Sequence, residues 1–162
     1  ETHLFSNMTS MGIMDSTASY LFSFYGITTM IGSVIAGALG SRFQMKWIAG
    51  ITFISRLFII GGFLLLPKTV FTFATFSLFL GMTGASTVPP VSGMTEKLFG
   101  SASLGTLFGI LFVAHQFGSF FSSWLGDISI TVTESYITLW MISSILAFLA
   151  GCTCFMVEEP RV

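Results

Sequence analysis

Arg56 is the residue of this sequence whose position most requires a chemical explanation. It stands near the middle of an otherwise uncharged run, positions 47–67. If that run crosses a membrane, inserting the guanidinium costs about 2.5–3.5 kcal/mol even on lenient scales, and its stem cannot reach either surface. Arg56 must then face protein or a water-filled cavity. Two roles are open for Arg56. Either backbone carbonyls or other helices satisfy its hydrogen-bond donors, or it attracts an anionic substrate. Thr52 on the same helical face could assist in either role.

His115 is the second ionisable residue inside an apolar run. It lies near the centre of positions 98–126 and is followed by Gln116, while Ser119 and Ser122 lie close to its helical face. One interpretation is a buried histidine that hydrogen-bonds a neighbouring helix; the other is a substrate contact or a proton relay. Arg56 and His115 are both basic residue types, which favours an anion as the expected ligand.

Residue patterns typical of enzymes are missing from the sequence. It contains no nucleophile elbow, His-Glu-x-x-His motif, phosphate-binding loop or pair of carboxylates inside an apolar run. Cys152 and Cys154 lie in an apolar run and are interpreted as inert thiols, not as a disulfide framework or metal site. The net charge of −1 offers no basic surface for nucleic acid. We expect no enzymatic activity, cofactor, metal or nucleic-acid partner.

Membrane-spanning helices are the elements that must position these residues. Hydrophobic types make up 53% of the chain and charged types 8%, whereas soluble domains carry about 25% charged residues. Charged residues divide the chain into five apolar runs, each able to supply the roughly 20 residues that cross a bilayer. The runs have no period of two, which excludes barrel strands. We predict an all-α membrane protein with helices at about 18–40, 47–66, 71–92, 103–126 and 136–156.

Small residues and prolines predict how the helices pack and where one is interrupted. Small residues recur every fourth position in the first span (Gly32, Ala36, Gly40) and along two stripes of the fourth (Ser101, Gly105, Gly109, then Ala114, Gly118, Ser122, Gly126), a pattern typical of close helix contacts. Pro89 and Pro90 remove two backbone donors, so a kink or an early helix end is expected there. Broken helices are common near transporter sites, although a plain helix terminus is the simpler interpretation.

Lysine and arginine placement predicts the orientation. With five spans, Arg42, Lys46, Lys97 and Arg161 lie at one set of ends and Lys68 at the other. The positive-inside rule therefore predicts a cytoplasmic C-terminus and an external N-terminus. Because an odd number of spans with an external N-terminus and no signal peptide is unusual, we expect that at least one preceding helix is missing.

The connection between the first two spans resembles a known signature. The stretch GALGSRFQMK, positions 37–46, is similar to the cytoplasmic loop signature of the major facilitator superfamily, Gly-x-Leu-x-Asp-Arg-x-Gly-Arg/Lys-Arg/Lys. Gly37, Leu39, Arg42 and Lys46 match it. Ser41 stands where the acid belongs, so the charge-relay role of that acid does not carry over to this loop.

Two later stretches resemble one branch of the same superfamily. LGTLFG at 104–109 with HQFG at 115–118 looks like the eleventh helix of the monocarboxylate and oxalate/formate antiporter-like branch. TVPP at 87–90 with LFG at 98–100 is similar to its tenth helix and following loop. The resemblance implies that the five spans correspond to the eighth to twelfth helices of a twelve-helix fold. Residues 18–157 would then form a five-helix bundle, residues 1–17 the end of a missing helix and an external loop, and residues 158–162 a cytoplasmic tail.

The resemblance also implies a function. The chain would be a fragment of a secondary active transporter in the plasma or bacterial inner membrane, moving a small solute such as a monocarboxylate together with its missing N-terminal half. Substrate contacts would come from Thr52, Arg56, His115 and Gln116, and a gating loop from Gly37, Ser41, Arg42 and Lys46. The alternatives are a small non-transporting membrane protein that packs against other helices and, with less support, a channel, which would need rings of pore-lining polar residues.

Overall fold

A computed structural model of the chain describes residues 3–133 and 136–159. The described residues form helices and no strands, as predicted. The helices are α1 (Leu4–Ser10), α2 (Asp15–Gly40), α3 (Met45–Leu65), α4 (Val70–Gly84), α5 (Val88–Phe99), α6 (Ser101–Thr133) and α7 (Ile137–Met156). Arg161, one of the cations used to predict the orientation, lies outside the described residues.

Five helical segments are long and apolar enough to cross a membrane: Asp15–Gly40, Met45–Leu65, Val70–Phe99, Ser101–Val132 and Ile137–Met156. The prediction of five spans is therefore confirmed. Successive spans run in opposite directions, so residues 41–44, the C-terminal end of α5 and the C-terminal end of α7 share one end of the bundle. We refer to this as the loop end.

The third span differs from its prediction because α4 and α5 both belong to it. α4 ends at Gly84, residues 85–87 form an interruption that we call the break, and α5 then continues to Phe99. Pro89 and Pro90 lie in the first turn of α5, where a missing backbone donor does no harm. Gly100 ends α5 with a φ of +80°, a conformation that residues with a Cβ rarely adopt. The prolines thus start a second helix, and the span extends past position 92.

Two helix pairs form most of the bundle. α3 packs on α7, where a Cβ on Gly151 would meet the Ile54 side chain at 2.8 Å, and α2 packs on α4 through Gly32 and Gly81. Towards the other end of the bundle, aromatic rings join α3, α4 and α7. The Phe63 and Phe76 rings are stacked with centroids 4.0 Å apart, and the Phe76 ring meets that of Trp140 edge to face at 5.2 Å.

α6 contrasts with this core. It contacts α5 and α7, and none of its most apolar 18-residue window is buried within the described structure. Gly105, Gly109 and Gly118 have no neighbour within 4 Å of an added Cβ, whereas Gly126 meets the ring of His3. The predicted close contacts of the first span are therefore present within the described residues, and most of those of the fourth span are not.

Candidate functional site

Arg56 projects from the middle of α3 towards the end of α4. Its Nη2 atom donates to the backbone carbonyl of Gly84 at 2.6 Å and also to that of Thr83. The guanidinium carbon lies 5.7 Å from the centre of the Phe53 ring. Of the two roles left open for Arg56, these contacts favour the first, in which backbone carbonyls satisfy the guanidinium.

The break makes those carbonyls available. In a continuous helix the carbonyls of Thr83 and Gly84 would accept from the amides four residues later, at Thr87 and Val88. The Val88 amide instead donates to Ala85 at 3.0 Å. A carbonyl left unpaired at membrane depth costs about 1–3 kcal/mol, since no water replaces the lost bond. A cation there also complements the negative end of the helix dipole.

α2 closes the other side of the break. A Cβ on Gly32 would overlap the Met82 carbonyl and lie 2.7 Å from the Ser86 hydroxyl, so only a glycine allows this approach. A Cβ on Gly84 would lie 3.1 Å from the Tyr25 hydroxyl. The end of α4 is thus held between a close contact with α2 and the side chain of Arg56.

A pocket of about 440 Å³ lies between α2, α3 and α4. Its wall is mostly apolar, and the four hydroxyl residues that line it are Thr52, Ser55, Thr83 and Ser86. Each hydroxyl donates to a carbonyl of the preceding turn, as Thr52 does to Ile48 at 2.7 Å. Arg56 is not part of the wall, but it binds the carbonyl of Thr83, which is. The structure therefore brings Thr52 and Arg56 to one region of the bundle.

His115 and Gln116 lie elsewhere. Both are exposed on α6, and the His115 ring stacks on Phe112 with centroids 5.9 Å apart. Because α6 contacts α5 and α7 instead of the helices that surround the pocket, the described structure does not bring His115 and Arg56 together. The face of α6 that carries His115 is directed away from the rest of the described residues.

The predicted gating loop lies at the loop end. Gly37 approaches Pro89, with 3.7 Å between an added Cβ and the proline Cβ, which places the loop-end half of α2 against the first turn of α5. The Ser41 hydroxyl donates to the Ala38 carbonyl at 2.7 Å, and the Arg42 side chain is exposed. Lys46 turns towards α7, where its Nζ donates to the Val157 carbonyl at 3.1 Å.

Glu159 is a residue whose role the sequence reasoning missed. Its side chain is fully buried, its Oε1 pairs with Lys97 Nζ at 2.8 Å, and its Oε2 accepts from the Lys46 amide at 3.0 Å. Burial alone would raise the pKa of Glu159, but hydrogen bonds from Lys97 and from the Lys46 and Met45 amides outweigh it, so the pKa lies below its ordinary value. This charged cluster (Lys46, Lys97 and Glu159) joins α3, α5 and the chain after α7. The adjacent acids Glu158 and Glu159 after the last span were its visible signal in the sequence.

Comparison with known protein families identifies a match along nearly the whole chain. The family model described as Major Facilitator Superfamily matches residues 4–162. No curated protein and no solved structure matches the chain. The match includes all five candidate spans and the loop from Gly37 to Lys46.

Proposed function

The chain belongs to the major facilitator superfamily, and from this we propose that it is the C-terminal part of a secondary active transporter that moves a small organic anion, such as a monocarboxylate, by alternating access. The observation that carries the transport function is the family match over residues 4–162 together with the five candidate spans. In such folds two helix bundles rock about a solute that binds near the middle of the membrane.

The charge of the solute is inferred from the ionisable residues at membrane depth. Arg56 lies midway along α3 and His115 midway along α6. Hydrogen bonds to neutral carbonyls leave the charge on Arg56, because a guanidinium stays protonated in proteins. The positive charge of Arg56 therefore favours anions near the adjacent pocket, which Thr52 lines, but its direct bonds go to carbonyls of the chain, so it contributes less to KM than a direct contact would. We assign the direct solute contacts on α6 to His115 and Gln116.

The exposed surface of α6 supports an assignment to one half of a larger transporter. His115 and Gln116 lie on a long apolar helix that is largely uncovered by the rest of the described chain. In the proposed transporter, a preceding half of the protein covers this surface and completes the site. The loop residues Gly37, Ser41, Arg42 and Lys46 lie on the cytoplasmic side of a cell membrane and act in gating.

Uptake measurements on the transporter that contains this chain test the proposal. Radiolabelled monocarboxylates and neutral analogues of the same size are compared in proteoliposomes, with and without a pH gradient. We expect saturable uptake of an anion, and an increase in KM of about tenfold for His115→Ala, which removes a contact to the solute. Leu111→Ala, an exposed residue one turn earlier on α6, is the matched control and leaves KM unchanged. Transport of the neutral analogues alone would contradict the anion assignment.

A further inference from the structure

The third span contains a pair of backbone acceptors that two different donors can satisfy. In a continuous helix the carbonyls of Thr83 and Gly84 are bonded internally by the amides of Thr87 and Val88. In the structure the Val88 amide turns to Ala85, and Nη2 of Arg56 takes both carbonyls. The guanidinium thus donates to carbonyls that, in an uninterrupted helix, would accept from the backbone of the same helix.

The prolines explain why the helix does not simply close. Pro89 disfavours helical geometry at Val88, and neither Pro89 nor Pro90 can donate to the carbonyls of residues 85 and 86. Within the break Thr87 has helical geometry, with φ −82° and ψ −20°, whereas Ala85 does not, with φ −96° and ψ 3°. With both prolines present the span cannot close this interruption by itself, so the carbonyls of Thr83 and Gly84 depend on a donor from another helix.

We propose that Arg56 is a positioning residue that stabilises the interruption of the third span at residues 85–87 by capping α4 from the neighbouring helix. Its guanidinium fixes the end of α4, and with it the pocket wall at Thr83. This role depends on carbonyls of the chain itself and is independent of which solute the protein carries.

A double-mutant cycle tests the proposal in the full-length protein. Arg56→Gln is made in the natural background and in a Pro89→Ala, Pro90→Ala background, where the span can close and bond Thr83 and Gly84 internally. Hydrogen exchange of the Thr87 and Val88 amides is the readout. We expect Arg56→Gln to speed exchange by about tenfold or more in the natural background and by less than about threefold in the proline-free one. Equal effects in the two backgrounds would overturn the proposal.

Conservative and control variants separate capping from contact with the solute. Arg56→Lys keeps a donor, so exchange stays within about threefold of the natural protein. Lys68→Gln, at a helix end where water is available, leaves exchange at the break unchanged. Capping lowers the maximal uptake rate of Arg56→Gln and keeps its KM within about twofold. A rise in KM of about tenfold with unchanged exchange would assign Arg56 to the solute and overturn the proposal.

The amount of each variant that accumulates in cells is also informative. If Arg56→Gln does not accumulate in the natural background but does in the proline-free background, the cap is supported. If it accumulates in neither background and Arg56→Lys is absent too, capping of Thr83 and Gly84 is not the reason that Arg56 is needed. Because exchange is measured without any solute, the capping role can stand or fall separately from the proposed anion transport.

Discussion

Lys46 and Arg56 lie on the same helix and make the same kind of bond in different surroundings. Lys46 donates to the Val157 carbonyl at the end of α7, and Arg56 donates to the Gly84 carbonyl at the end of α4. Lys46 is at the loop end, where water can replace the bond, whereas Arg56 is in the middle of a span, where it cannot. We therefore expect depth in the membrane, more than bond geometry, to decide how much each helix cap contributes to stability.

A large effect is expected where α2 contacts the break, on the side opposite Arg56. Gly32→Leu places a side chain against the Met82 carbonyl and the Ser86 hydroxyl, so α2 and α4 must separate next to the break. We expect a loss of about 3 kcal/mol in the free energy of unfolding, measured by denaturant titration in detergent. Gly26→Leu on the same helix is the control, since an added Cβ there meets nothing within 4 Å. A loss as large at Gly26 would mean that the contact with α4 is not the cause.

A smaller effect is expected at the charged cluster. Glu159→Gln removes the ion pair with Lys97, whose side chain is 27% exposed, but keeps an acceptor for the Lys46 amide. Because Lys97 remains partly hydrated, the expected loss is about 1 kcal/mol in the free energy of unfolding. Lys97→Met should give a similar loss, and the two changes together should cost little more than either one. Full additivity of the two losses would show that the pair does not act as a unit.

The pH dependence of the free energy of unfolding tests the role of Glu159 in the charged cluster. Since the pKa of Glu159 is lower in the folded protein than the ordinary value of 4.5, the unfolded chain binds more protons as the pH falls. The contribution of Glu159 is therefore complete above the unfolded pKa and is lost as the pH falls through the folded pKa. Thermal unfolding of the natural protein and of Glu159→Gln should converge below pH 4.5. A gap between the two that stays constant down to the folded pKa and below would contradict the assigned cluster.

The smallest effect belongs to Lys68, at the opposite end of α3 from Lys46. Its Nζ donates to the Phe63 carbonyl and lies 3.9 Å from the centre of the Phe63 ring, and burial lowers its pKa. Because this end of the helix borders water, Lys68→Gln should cost about 0.5 kcal/mol or less in the same denaturant titration. A loss above about 1.5 kcal/mol for Lys68→Gln would show that depth in the membrane is not what distinguishes Arg56 from Lys68.

The spans and the need to satisfy Arg56 could be predicted from the sequence because both follow from local composition. Long apolar runs fix the number of spans, and a cation inside one of them requires a partner at membrane depth. The contact face of Gly32 and Ala36 followed in the same way from their spacing of four residues. The structure places Gly32 against α4 and buries Ala36.

The partners of these residues could not be predicted because they come from distant parts of the chain. Lys46 and Glu159 are 113 residues apart in sequence, and no local pattern joins them. The prolines at 89 and 90 predicted a kink or an early helix end, whereas the structure places them in the first turn of α5. For His115 the sequence identified the helix, but which way its face points depends on how α6 packs, and the described chain leaves that face exposed.

Arg56→Gln and Lys46→Gln, compared side by side, test whether depth in the membrane sets how much a helix cap contributes to stability. The free energy of unfolding of both variants is measured by denaturant titration in the same detergent. We expect a loss of about 2–4 kcal/mol for Arg56→Gln, which leaves two carbonyls unpaired at membrane depth. For Lys46→Gln, whose carbonyl partner water can bind, we expect a loss of less than about 1 kcal/mol. Equal losses, or a larger loss for Lys46→Gln, would contradict this expectation.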